Sequence, residues 1–92
     1  MTNFRNLKIW QRGMKLVTTV YNLASHLPKD ERYALRSQIT RSAVSIPSNI
    51  AEGCSRNSRK DFVRFLEIAL GSAFELETQL LIIAKLQLTE TE

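Results

Sequence analysis

Phe62, Leu66, Ala69, Ala73, Leu76, Leu80 and Ile83 recur at alternating spacings of four and three without a slip. That spacing puts all seven on one side of an α-helix and excludes a strand, whose side chains change face at every residue. Ser58 followed three residues later by Asp61 approximates a capping box, with Asp in place of the usual Glu, and marks the helix start. A helix over about 58–87 is roughly 45 Å long at 1.5 Å per residue. Val63, Leu70, Phe74 and Leu81 add a second apolar stripe beside the first. A rod with two such stripes needs more than one packing partner.

The preceding chain supplies them. Leu7, Trp10, Met14, Val17, Tyr21 and Ala24 form a helical seam, flanked by Ile9, Leu16, Val20 and Leu23, which predicts a first helix over about 5–25. Its apolar arc of about 180° exceeds the roughly 100° that faces a single neighbour. His26-Leu27-Pro28 breaks the pattern. Pro28 suits a first helical turn, where the dipole also favours Asp30 and Glu31, so a second helix is expected over about 29–52. Leu35, Ile39, Ala43, Ile46 and Ile50 make its apolar face, Pro47 predicts a kink, and Gly53 is expected to end it in the left-handed conformation. No alternating run, hairpin dipeptide or internal repeat is present.

The fold class is therefore all-α: an antiparallel up-down helical bundle of three long helices in one domain, residues 1–92. A chain of 92 residues holds one core, which excludes a two-domain enzyme. Two of the three apolar arcs are too wide for a closed three-helix unit, so a fourth helix or other subunits should complete the core. The single Cys54 forbids an internal disulfide and fits a reducing compartment. No stretch approaches the roughly 18 apolar residues of a membrane span, and a cytoplasmic protein without membrane attachment is expected.

Little in the sequence points to catalysis. A thiol dyad could draw only on Cys54 and His26, which flank the second helix about 28 residues and some 40 Å apart. One His and one Cys fall short of a metal ligand set, and Gly13, Gly53 and Gly71 are isolated rather than clustered as in a phosphate loop. No catalytic residue, metal or cofactor is expected.

Charge is distributed unevenly. The chain carries +4 overall, with a pI near 9.6. Residues 1–27 hold Arg5, Lys8, Arg12 and Lys15 and no acid, whereas residues 65–92 hold Lys85 against Glu67, Glu75, Glu77, Glu90 and Glu92. The four basic residues of the first helix lie opposite its apolar arc. A second group, Arg56, Arg59, Lys60 and Arg64, surrounds the start of the third helix, where free backbone N–H groups already favour phosphate. These eight residues are the candidate nucleic-acid contacts, against the alternative of an ordinary solvated basic face. No exposed aromatic is interleaved with them except Phe4, so backbone contact rather than base stacking is the expected mode. Glu77 falls inside the third helix's combined apolar arc. It is expected either to pair with Arg36 or Arg41, within or between subunits, or to lie at a wetter seam between the stripes.

Three segments carry a resemblance: Phe4-Arg5-Asn6-Leu7-Lys8-Ile9-Trp10-Gln11, the run from Gln38 to Gly53 containing Ser45-Ile46-Pro47-Ser48-Asn49-Ile50-Ala51-Glu52-Gly53, and Phe65 to Ser72 followed by Glu75 to Leu80. Together they resemble the four-helix-bundle proteins encoded in intervening sequences of bacterial 23S rRNA genes. That family is related to the accessory variability protein of diversity-generating retroelements. The resemblance implies a bundle that assembles as a ring-like homopentamer without enzymatic activity. In the retroelement relatives it also implies a basic surface for RNA or DNA and a reverse transcriptase partner. Family members continue past the third helix into a fourth, whereas this sequence ends at Glu92. Two functions are thus expected in order: a non-enzymatic oligomer binding nucleic acid through its backbone, and alternatively a protein–protein interaction module.

Overall fold

The computed structural model describes residues 3–31 and 33–89. A single 3-10 turn at Phe4–Asn6 leads into α1, Lys8–Ala24; a second such turn at Lys29–Glu31 precedes α2, Leu35–Cys54; and α3 spans Arg59–Lys85. The described residues contain no strand. The helices run up, down and up in a body of 46 × 19 × 19 Å. Helix α2 packs against both α1 and α3, while α1 and α3 do not close on each other. The core is a single cluster built from Val20, Ala24 and Leu27, from Ile39, Ala43, Ile46 and Ile50, and from Ala69, Leu76 and Ile83.

The apolar faces anticipated for α2 and α3 are the ones that are buried. On α1 the core face is rotated from the expected seam: Gly13, Val20 and Ala24 are buried, whereas Met14 and Tyr21 are about half exposed. The rotation follows from Gly13. A Cβ there would lie 3.3 Å from the Pro47 ring, so the missing side chain lets α1 approach the flat proline face of α2. Wheel arithmetic favours large apolar residues and cannot see this contact.

Three boundaries differ from expectation. First, Leu7 is extended, so α1 begins at Lys8 after a separate turn, held by the Gln11 side-chain amide donating to the Arg5 carbonyl at 2.9 Å. Second, α2 begins at Leu35 rather than near residue 29. Leu27 is buried, and the chain turns twice beyond it, through Glu31 N–H to the Pro28 carbonyl and Ala34 N–H to the Glu31 carbonyl. Arg36 then donates to the Leu27 carbonyl at 2.7 Å and ties the connection to α2. Third, Gly53 lies inside α2, and no glycine has positive φ. Its role is close approach: a Cβ would meet the Phe65 Cβ at 3.0 Å and the Phe62 carbonyl at 3.2 Å on α3.

The α2–α3 seam is partly polar. Ser42 donates to Glu75 at 3.2 Å, the Ser45 and Ser72 hydroxyls share a bond of 2.8 Å, and the Asn49 amide donates to the Ser45 carbonyl and hydroxyl just beyond Pro47. Ser58 caps α3 as anticipated, accepting the Asp61 N–H at 3.1 Å.

At its far end α3 closes with Gln87 at φ 53°, Gln87 N–H on the Ala84 carbonyl and Leu88 N–H on the Ile83 carbonyl. This is the double-bonded helix stop that glycine ordinarily provides, here formed by a glutamine, with Leu88 packed back on the core. Left-handed backbone costs a non-glycine residue about 1 kcal/mol. Gln87→Gly is therefore expected to raise stability by about 0.5–1 kcal/mol, read as a higher urea midpoint at unchanged slope.

Because α1 and α3 stay apart, a groove runs between them. Ile9, Arg12, Gly13 and Leu16 line one wall, Leu66, Leu70, Ala73, Leu76, Glu77, Leu80 and Leu81 the other, with Ile46 and Ile50 on its floor.

Candidate nucleic-acid interface

Arg5, in the turn before α1, and Lys8, Arg12 and Lys15 along α1 are all exposed. Arg5 does not extend freely into solvent: its guanidinium sits 4.5 Å from the centroid of Phe4, and that ring meets Trp10 edge-on at 5.2 Å. Phe4 is half-buried in this stack, with part of its ring already covered by Arg5 and Trp10. Arg12 is the member nearest the apolar groove and lines its edge.

The second group divides. Arg56 forms an ion pair with Glu52 at 2.9 Å and lies 4.8 Å from the centroid of Phe65. An exposed pair at this spacing adds only about 0.3–0.5 kcal/mol, so a phosphate can compete with it. Arg59, Lys60 and Arg64 line a surface depression of about 600 Å³ at the start of α3, together with Asp61, Val63 and Glu67. None of the three is ion-paired among the described residues. Helix geometry explains the cluster: Lys60 and Arg64 are one turn apart and share a side of α3.

The antiparallel course brings the two groups to the same end of the molecule. Ile9 and Arg12 of α1 line the same stretch of groove as Leu66 and Leu70 of α3, so the N-terminal halves of both helices lie side by side across it. Seven of the eight sequence-predicted residues fall in these halves or in the loop before α3, and Arg5 lies in the turn just before α1. Glu52, Asp61 and Glu67 are the acids there; Glu75 and Glu77 lie further along α3. The end as a whole is strongly basic.

Glu77 does not pair with Arg36 or Arg41 within the protomer. It is exposed on the groove wall beside Leu76, Leu80 and Leu81. Arg36 is engaged with the Leu27 carbonyl, and Arg41 lies along a separate polar groove of about 290 Å³ with Gln38, Ser42, Ser45, Glu75 and Gln79. The wheel placed Glu77 among apolar neighbours correctly. Of the two places expected for it, the structure has the wetter one: those neighbours line an open groove and the carboxylate is exposed.

Other chemistry finds no assembled site. Cys54 is buried at the C-terminal end of α2, while His26 is exposed before the start of that helix and bonded through Nδ1 to the Asn22 carbonyl. Among the described residues no group of three or more His, Cys, Asp or Glu could hold a metal, and no helix is long and apolar enough to cross a membrane.

Residues 5–92 match the family described as 23S rRNA-intervening sequence protein. The chain belongs to that family. The match covers nearly the whole length, including both basic groups and all three helices. No curated protein matches the sequence. Membership of the 23S rRNA-intervening sequence protein family agrees with the resemblance read from the Ser-Ile-Pro-Ser-Asn-Ile-Ala-Glu-Gly segment. Within that segment Pro47 faces Gly13, and Gly53 faces Phe62 and Phe65.

Proposed function

We propose that this protein is a non-enzymatic helical bundle whose basic end binds the sugar-phosphate backbone of structured RNA, as an accessory to nucleic-acid enzymes such as a reverse transcriptase. The observation that carries the reading is the convergence of the α1 stripe and the α3 cluster at one end of the molecule. Two helices bearing Lys8, Arg12 and Lys15 on one and Arg59, Lys60 and Arg64 on the other offer cations to more than one phosphate at once. The first-turn N–H groups of α3 add their partial positive charge. The description of the family ties it to 23S rRNA genes, which favours RNA over DNA. With the Phe4 ring partly covered by Arg5 and Trp10, binding is governed by charge and shape more than by base identity.

The test is binding of a labelled RNA duplex by two variants, Lys8→Ala with Lys15→Ala, and Arg59→Ala with Lys60→Ala and Arg64→Ala. All five residues are exposed, so neither variant should disturb the fold. Both are expected to bind more weakly, each with a salt dependence shallower by about 2 to 3 units in log–log slope. Undiminished affinity in both variants would remove the basic end from RNA binding. A second reading, a protein–protein interaction module, is favoured by the open apolar groove between α1 and α3.

A further inference from the structure

We propose that the polar groove between α2 and α3 binds a small zwitterion of the free amino acid class, its ammonium group held by Glu75 and Gln79 and its carboxylate by Arg41 and Gln38. The register of the seam builds the site. Ser42 bonded to Glu75 and Ser45 bonded to Ser72 fix α2 against an antiparallel α3, and the same register sets Gln38 opposite Gln79. One helical turn separates 38 from 42 on α2 and 75 from 79 on α3, so the polar pairs stack along one face. Arg41 lies beside them, and all of these residues except Ser72 line the groove of about 290 Å³.

Two observations point to a ligand there. Gln79 is only 7% exposed, yet its side-chain oxygen has no hydrogen-bond partner among the described residues. A buried acceptor left unpaired is destabilising, and an apolar residue of the same size would fill the place without that cost. Arg41 and Glu75 carry opposite charges on the same groove, but neither is ion-paired among the described residues. They stand apart over the buried Ser42 and Gln79, with Gln38, Arg41 and Glu75 exposed at the rim.

The donor count fits a molecule that carries both signs. An ammonium group has three N–H donors and no acceptor. Glu75 takes one bond from Ser42 and has acceptor capacity left, and the Gln79 oxygen takes a second donor once its soft terminal torsion turns it into the groove. The third N–H faces water at the rim. At the other side the Arg41 guanidinium offers a carboxylate two parallel N–H bonds, and the Gln38 amide adds a further donor. A simple cation would meet Arg41 and a simple anion would meet Glu75, so the groove discriminates against both. Its lining is polar throughout, which favours a small polar side chain over an apolar one. None of the eight basic residues assigned to RNA lines the groove, so the inference is independent of RNA binding.

The test is calorimetric titration of the unaltered protein with L-serine and L-asparagine, and with ethanolamine and N-acetyl-L-serine as controls that lack the carboxylate and the ammonium group respectively. At least one of the two amino acids is expected to bind with a dissociation constant below about 1 mM, and both controls at least tenfold more weakly. Arg41→Leu and Glu75→Gln, at exposed positions, are each expected to weaken that binding at least tenfold with helix content unchanged by circular dichroism. Gln79→Leu is expected to weaken it as much while raising the urea midpoint, the opposite of what a merely structural glutamine would show. No binding of either amino acid at about 10 mM would overturn the proposal. So would a control that binds as tightly as the amino acids, or full affinity in any of the three variants.

Discussion

Ile39→Ala is expected to remove about 4 kcal/mol of folding stability. Ile39 is fully buried, at 0% exposure, on the helix that packs against both others. Truncating it forfeits the transfer energy of three carbons and leaves a cavity between rigid helices, a change that costs about 2–5 kcal/mol in comparable cores. The upper part of that range applies because α2 cannot move to fill the space toward α1 without opening the seam to α3. A domain of this size has only about 5–15 kcal/mol in total. The variant should therefore show a urea midpoint reduced by a large fraction at unchanged slope, and a change of less than about 1 kcal/mol would mean that the centre of the core lies elsewhere.

Gly53→Val should be nearly as damaging, about 3 kcal/mol, and for the opposite reason. The new Cβ would stand 3.0 Å from the Phe65 Cβ and 3.2 Å from the Phe62 carbonyl. Neither is the flexible end of a side chain, so α2 and α3 must separate at the end of the bundle that carries the α3 cations. Overpacking of this kind costs about 1–3 kcal/mol, and a branched side chain inside a helix recovers little in propensity. Gly13→Ala is the instructive contrast. Its nearest obstacle, the Pro47 Cβ, is at 3.3 Å and needs a shift of only a few tenths of an ångström. The gain of about 1 kcal/mol in helix propensity offsets that strain. Unfolding curves should show Gly53→Val far below the unaltered protein and Gly13→Ala close to it. Equal losses at the two sites would contradict the close-approach account of Gly53.

These two glycines also mark how far the sequence could be read. The heptad from Phe62 to Ile83 and the face from Leu35 to Ile50 were legible because each buried position is large, apolar and correctly spaced. The α1 face was legible only in part, since its orientation depends on an absent side chain at Gly13 meeting a ring on another helix. The Gln87 stop was illegible because composition assigns that role to glycine. The basic residues could be named from the chain alone. Their grouping at one end required the antiparallel course, and the fate of Phe4 and Arg56 required their contacts, with Arg5 and Trp10 in one case and Glu52 and Phe65 in the other. Glu77 shows the limit from the other side: periodicity found its apolar neighbours and left a buried ion pair and a wetter seam as alternatives, between which only the packing of the helices decides.

The most direct measurement is the affinity of the unaltered protein for a structured RNA duplex as salt rises from about 50 to 200 mM. If about five phosphates contact the basic end, the logarithm of affinity should fall along a slope of about −4, an overall loss of roughly 250-fold across that range. A flat dependence, or no binding at the lowest salt, would contradict the account and leave the apolar groove as the working surface of this protein.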